Sequence, residues 1–310
     1  MATLKLQVKS RSGRDLLPDG LLLPSDATVE DLKARFAELK PRYYTARQRF
    51  TLPPREGSRS GEALADGKRL VADYGLADGS VLFFKDLGPQ IGYATVFFWE
   101  YFGPLMVYPL FYMLPQIFYF GIKAPEKSLV QSLALAYWSF HYVKRLLETF
   151  FVHKFSKATM PIFNLFKNCA YYWGFAAFVA YFINHPLYTA PPVKRAAAAL
   201  ATAMLCQFAN FRCHVILANL RPAGSGRGYV IPRGFLFNLI TCPNYTAEIL
   251  GWICFSIATQ TAAAAIFTLV GAAQMAQWAA AKHRRLIKTF DGREGRDKYP
   301  RRWVMLPPFF

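Results

Sequence analysis

The sequence predicts a mainly α protein, a polytopic helical membrane domain over residues 87–310 preceded by a small α+β domain over residues 1–86. Three observations carry this. Charge is divided unevenly: residues 1–90 hold 15 Lys+Arg and 12 Asp+Glu, whereas residues 91–310 hold 22 and only 7. The apolar runs of the second part reach the length a bilayer needs, about 20 helical residues, so about six to seven spans are expected. The first part instead alternates polar and apolar residues between turn signals, as a small folded domain does.

In residues 3–9, Leu4, Leu6 and Val8 face one way and Lys5, Gln7 and Lys9 the other, which predicts a half-buried strand. A second strand is expected at Gly20–Leu23, after the turn at Asp19-Gly20. Asp26 or Thr28 can cap a helix whose apolar positions Val29, Leu32, Phe36 and Leu39 follow helical spacing. Arg49–Leu52 and Ser80–Lys85 read as further strands. This β-β-α-β-β order resembles a ubiquitin-like β-grasp. The segment lacks a free Gly-Gly end and runs on into an apolar helix, so it is expected to act as a cytosolic cap or docking surface rather than as a conjugating modifier.

The apolar segments follow in order. Ile91–Gly121 has Glu100 as its only acidic or basic residue, and Ser128–Val152 carries Lys144, Arg145 and Glu148 toward its end. Asn168–Leu187 is rich in aromatics, and Ala196–Leu220 has a single Arg. Gly234–Ala281 is 48 residues long with Glu248 its only charge, enough for two spans. Connections are short apart from Arg221–Gly234, a Gly-rich and Pro-containing stretch, and the basic tail Asp291–Arg302.

The net charge of +18 could suggest nucleic acid, but its basic residues lie between apolar runs, which favours a membrane surface. They cluster at Lys154–Lys157, Arg221–Arg233 and Lys282–Arg302, and the positive-inside rule places these in the cytosol. No secretory leader is legible at the N-terminus, where an h-region is missing. The five Cys form no CxxC pair, and no Cys/His set has metal-ligand spacing, so neither a disulfide framework nor a metal centre is expected. No GxGxxG follows a strand and no GxxxxGK[ST] is present.

Ionisable groups at membrane depth cost roughly 2.5–3.5 kcal/mol by insertion scales and are functional candidates by default. Glu100 is one, although a Glu hydrogen-bonded to a neighbouring helix beside the Pro104 kink would look the same. Glu248 is another, four residues after Asn244 and therefore on the same helical face. Pro243 suits the first position of a helix, where its missing N–H is no loss. Tyr245 is then a proton donor at a helix start, or alternatively an interfacial aromatic anchor. Lys144 and Glu148, also four apart, suit an internal ion pair.

These residues sit in longer motifs: Phe84-Lys85-Asp86-Leu87-Gly88, Glu100-Tyr101-x-Gly103-Pro104-Leu105, His141-Tyr142-x-Lys144-Arg145-Leu146-Leu147-Glu148-Thr149, Asn184-His185-Pro186-Leu187-Tyr188, Asn219-Leu220-Arg221-Pro222 and Cys242-Pro243-Asn244-Tyr245. In this combination the whole chain resembles the very-long-chain trans-2-enoyl-CoA reductases, in a plant-like form, within the steroid 5α-reductase superfamily. The resemblance implies a helical enzyme of the endoplasmic reticulum membrane with NADPH held between its C-terminal helices. It implies catalytic roles for Tyr245 and Glu100, and cofactor contacts from Asn210, Arg221, Tyr229, Asn244, Glu248 and His283. Steroid-reducing relatives carry an acidic residue where His214 stands, so that contact is expected to differ. The implied partners are a very-long-chain enoyl-CoA, membrane lipid and other elongation-cycle enzymes, with no nucleic acid. The rival readings are a reductase of a steroid enone or polyprenol, a membrane methyltransferase using S-adenosylmethionine, and a non-enzymatic membrane adaptor.

Overall fold

The computed structural model describes residues 3–54, 56–57, 61–120, 122, 126–155, 158–220 and 230–308. The chain divides into two compact units, residues 1–93 with 157–164, and residues 94–156 with 165–310.

The first unit is a four-stranded sheet of order β2-β1-β4-β3, formed by β1 (Thr3–Ser10), β2 (Leu21–Pro24), β3 (Gln48–Thr51) and β4 (Val81–Asp86). The central pair β1 and β4 is parallel, with Val8 opposite Leu82, and the outer pairs are antiparallel. Helix α1 (Val29–Leu39) starts where the sequence indicates. The Thr28 side chain accepts from the Asp31 N–H, and the Asp31 carboxylate accepts from the Thr28 N–H. The Thr28 hydroxyl also donates to that carboxylate at 2.6 Å, and this bond, followed by the backbone one, holds the Asp31 carboxyl below its usual range. Val29, Leu32 and Phe36 are buried, whereas Leu39 is 42% exposed. Phe36 packs against Phe50 and Phe84 at ring-centroid distances of 5.3 and 4.9 Å. At the end of β4 the Arg47 guanidinium donates twice to Asp86, at 2.9 and 2.5 Å, and holds that carboxyl below its usual range.

The unit runs on past the boundary expected at residue 86. The reason is a two-stranded pairing that no sequence signal announced: β5 (Gln90–Gly92) lies antiparallel to β6 (Thr159–Pro161), Ile91 opposite Met160. Backbone pairing therefore draws residues 157–164 out of the helical part of the chain.

The second unit is helical. Its elements are α2 (Tyr93–Met113), the single turn α3 (Pro115–Phe118), α4 (Leu129–Phe151), α5 (Phe163–Ile183), α6 (Val193–Asn219), α7 (Pro243–Thr259) and α8 (Ala262–Thr289). Helix α2 stops at Met113 because Pro115 disfavours helical backbone in the residue before it. A capping box from Ser128 and Gln131 opens α4. Helix α5 begins earlier than the apolar run, and takes in Lys167, whose methylene stem lets a charged head reach solvent from a helix end. Gln260 in left-handed backbone ends α7, and Thr261 caps α8 immediately afterwards.

Among the described residues, α6 and α8 are long and apolar enough to cross a membrane by length and composition. By that measure two of the expected six to seven spans are clear. The others fall short for visible reasons. Helix α4 carries Lys144, Arg145 and Glu148, α7 has only 17 residues, and Pro104, Pro109 and several Tyr and Trp lower the hydropathy of α2 and α5.

An aromatic core of Tyr108, Trp138, Tyr142, Trp252, Phe255 and Phe267 joins the helices. The Trp138 indole donates to the carbonyl of Pro104 at 3.0 Å, and the Trp173 indole to that of Trp99 at 2.9 Å. Both bonds fasten carbonyls of α2 on either side of the Pro104 kink, whose missing N–H frees the carbonyl of Glu100. Gly103 lets α5 come this close, since a Cβ there would overlap the Trp173 indole.

Candidate active site

The second unit encloses a cavity of about 1600 Å³. Its wall is assembled from the polar residues that the sequence left stranded in apolar helices. Glu100 reaches it from α2, Arg145 from α4, Asn168 from α5, His214 from α6, and Asn244, Tyr245 and Glu248 from the first two turns of α7. Pro243 is the first residue of α7, as its missing N–H suggests.

The start of α7 is held from two sides. Thr241 and Cys242 donate their N–H groups to the carbonyls of Trp303 and Val304, at 2.8 and 3.1 Å. The Thr246 hydroxyl donates to the carbonyl of Met305 at 2.7 Å. The end of the chain thus returns to brace the helix that carries Tyr245. From α6, buried Asn210 donates to the Asn244 carbonyl at 2.9 Å, and more distantly to Glu248 at 3.5 Å. Its own oxygen accepts from Lys144, which also donates to Gln207 at 3.0 Å.

Glu100 is 2% exposed and accepts a hydrogen bond from Asn168 at 3.0 Å. It shares the cavity wall with Tyr245. Among the described residues no group hydrogen-bonds the Tyr245 hydroxyl, and its ring lies 6.3 Å from that of Trp278. Among the described residues the buried Asn244 Oδ1 and the buried Arg145 Nε also have no hydrogen-bond partner. Unpaired polar atoms buried in this way are rare.

Behind Arg145 lies an ion-pair knot. Glu148 is 1% exposed and contacts Arg145 at 2.9 Å, Lys144 at 3.5 Å and His214 at 3.0 Å. Arg145 also donates to the Tyr101 hydroxyl at 2.7 Å. The expected Lys144–Glu148 pair is present, but two further charged or titratable partners share it. Glu148, His153 and His214 each place a ligand atom within 4.8 Å of the others, a grouping with no signature in the sequence spacing. Arg145 and Lys144 already neutralise this carboxylate, so the arrangement suits an internal charge network better than a cation site.

Of the residues named from the sequence, Glu100, Tyr245, Asn244 and Glu248 come together at the cavity. Asn210 stands behind it. His283 lies outside the wall, with its Nδ1 at 2.6 Å from the Thr241 hydroxyl. Arg221 and Tyr229, together with Arg227, fall outside the described residues. Sequence reasoning missed Arg145 and Asn168 as site residues. Arg145 could have been found as a further charge in an apolar run, whereas nothing in the spacing of Asn168 marks it.

Residues 158–310 match the model of the 3-oxo-5-alpha-steroid 4-dehydrogenase family. The chain is 50% identical over 287 residues to the very-long-chain enoyl-CoA reductase of Dictyostelium discoideum, covering 92% of each chain. The chain belongs to this reductase family, within the steroid 5α-reductase superfamily. It is also 45% identical to a protein of Caenorhabditis elegans named as a probable very-long-chain enoyl-CoA reductase, covering 91% of each chain. A human protein named trans-2,3-enoyl-CoA reductase-like is 36% identical, with 86% of this chain and 74% of that one covered. Membership of the reductase family thus rests on similarity along nearly the whole chain, not on the C-terminal half alone.

Proposed function

We propose that the protein reduces the trans-2 double bond of a very-long-chain enoyl-CoA with NADPH, the last step of the fatty-acid elongation cycle. One observation carries the reading: a phenol with no hydrogen-bond partner among the described residues, Tyr245, shares a cavity with buried Glu100 and with the unpaired Asn244 Oδ1 and Arg145 Nε. The names of the relatives support the substrate class.

The residues present fit the cofactor. Asn244 lines the cavity with an amide suited to the carboxamide of a nicotinamide, and Glu248 lies one turn away on the same wall. Lys154, Lys167 and Lys282 line the cavity and suit the phosphates of NADPH and coenzyme A. By resemblance, Arg221 and Tyr229 are further cofactor contacts, whereas His283 lies outside the cavity wall and bonds Thr241. When bound, NADPH supplies the hydride that the β carbon receives. Negative charge then develops on the thioester oxygen and α carbon, where a positioned donor stabilises it more than in the ground state. Tyr245 is that donor and delivers its proton to the α carbon. Glu100, held by Asn168, orients Tyr245 or the nicotinamide.

The proposed setting is the endoplasmic reticulum membrane. Helices α6 and α8 support a membrane location, as do exposed side chains such as Leu205 and Leu269, at 71% and 68%. In this reading α2, α4, α5 and α7 also span, and the basic loops and tail face the cytosol. The mixed sheet of the first unit supports a ubiquitin-like β-grasp. Other elongation-cycle enzymes are the expected partners.

Purified Tyr245→Phe in detergent should lose about 100-fold or more of its NADPH-dependent enoyl-CoA turnover, the scale of general acid catalysis, and still bind NADPH. Undiminished turnover would remove Tyr245 from the reaction.

A further inference from the structure

Helix α4 carries a buried cation that the proposed reaction does not use. Lys144 donates to the side-chain oxygens of two amides on α6, Gln207 at 3.0 Å and Asn210. An ammonium has three donors and no acceptor, so it dictates which way round each amide stands. Turned over, either amide would aim its NH2 at the ammonium, donor against donor. With the oxygens fixed, both NH2 groups point away from Lys144. That of Asn210 meets the Asn244 carbonyl at 2.9 Å. That of Gln207 has two hydrogens and two partners, the Tyr137 hydroxyl at 2.8 Å and Nδ1 of His141 at 2.9 Å.

A ring nitrogen that accepts carries no proton. His141 is therefore uncharged, and its one N–H is at Nε2. The opposite tautomer would set the Nδ1 proton against the amide protons. His141 lines the cavity, whereas Lys144 and Gln207 do not. Its ring is 3% exposed and packs 4.6 Å from that of Trp252 on α7. Among the described residues Nε2 has no hydrogen-bond partner, which leaves it to what the cavity holds.

We infer that His141 is a ligand-binding residue: Lys144, acting through Gln207, keeps its proton on Nε2, and that N–H donates to an uncharged carbonyl oxygen of a bound ligand. The inference rests on the proposed NADPH and enoyl-CoA reading and deepens it. Both ligands carry such an oxygen, one in the carboxamide of NADPH and one in the thioester. A neutral ring suits a carbonyl better than a phosphate, which is met more strongly by a cation. Lys144 and Gln207 are positioning residues, since they set the proton without lining the cavity.

The test uses the full-length protein in lipid nanodiscs, with its five histidines labelled with 15N. His141→Phe identifies the His141 signals by their loss. The wild-type spectrum should show Nδ1 bare and Nε2 protonated; a proton on Nδ1 would overturn the donor. Gln207→Glu puts an acceptor where the amide donated and should draw a proton to Nδ1, whereas an unchanged spectrum would overturn the relay. NADPH and a saturated twenty-carbon acyl-CoA, added separately, tell the two oxygens apart. The Nε2 signal should shift with the ligand whose oxygen it meets. That same ligand should bind His141→Phe at least tenfold more weakly, and His141→Gln, which restores an N–H donor, should regain part of the loss. No shift with either ligand, or equal losses in the Phe and Gln variants, would sink the donor. Wild-type protein that oxidises no NADPH with a twenty-carbon enoyl-CoA would instead overturn the enzymatic reading, and the ligand-induced shift at Nε2 still decides the donor.

Discussion

Replacing Glu148 by Gln keeps the side chain's size, removes its charge and turns one acceptor oxygen into an NH2 donor facing cations. The consequence is set by what surrounds it. Arg145 at 2.9 Å and Lys144 at 3.5 Å are both only 11% exposed, and Glu148 itself is 1% exposed. Each ion pair at this range is worth about 4 kcal/mol gross at an effective dielectric constant of about 20. Burial of the charges offsets most of that in the wild type. The variant loses the attraction and keeps the burial, because two cations stay side by side with no counter-charge among their bonded neighbours. Breaking a buried pair in this way costs about 3–5 kcal/mol. For a unit of about 200 residues, each kcal/mol moves the melting temperature by roughly 2–4 °C, so a fall on the order of 10 °C is expected. The assay is thermal unfolding in detergent, followed by a thiol-reactive dye. Cys213 and Cys242 are buried and free, and they label only as the fold opens. Adding Lys144→Gln to the Glu148→Gln background should recover part of the loss, since it removes one stranded cation. A drop below about 2 °C, or no recovery in the double variant, would refute this account of the knot and leave Glu148 as a dispensable polar group.

Three further outcomes are expected. Gly103→Ala drives a methyl into the Trp173 indole and should destabilise the helical unit by about 1–3 kcal/mol, as overpacking does; the double variant with Trp173→Leu should regain much of this in the same thiol assay. Arg47 holds the Asp86 carboxyl below its usual range, so the pair adds stability above the ordinary Asp range near 4 and loses it as pH falls through the depressed folded value. Asp86→Asn should therefore flatten the acid limb of the unfolding profile of the first unit, read by hydrogen exchange of β4, and an unchanged acid limb would discount the pair. Asn244→Ala removes the unpaired acceptor at the cavity, and should weaken NADPH binding at least tenfold in a fluorescence titration while Tyr245→Phe leaves it intact.

Local features were legible because they depend on neighbours in sequence. The Thr28 cap, the Val29-Leu32-Phe36 face and Pro243 at the start of α7 each follow from a few adjacent residues. The polar residues of the cavity were legible for a different reason. Carboxylates such as Glu100 and Glu248 stand out against an apolar background, so their cost points to a use. What stayed hidden depends on distant pairing. No local signal marks β5 against β6, where residues nearly seventy apart exchange backbone bonds. The chain end bracing Thr241 and Cys242 is equally silent, because Trp303–Val304 looks like the start of any apolar tail. Asn168 acquires meaning only when Glu100 is placed beside it in space, and the bond of His214 to Glu148 is likewise a matter of distant pairing. The span count suffered from composition: helices that build a polar cavity must carry Tyr, Trp, Pro and charge, and these mask the length of the element that bears them.

Gln260 and Thr261 are the whole of the link between α7 and α8. A connection so brief keeps α7 and α8 neighbours along their length, and so it is that Trp278 of α8 comes within 6.3 Å of the ring of Tyr245 at the other end of α7. Two residues of turn thereby set two walls of one cavity.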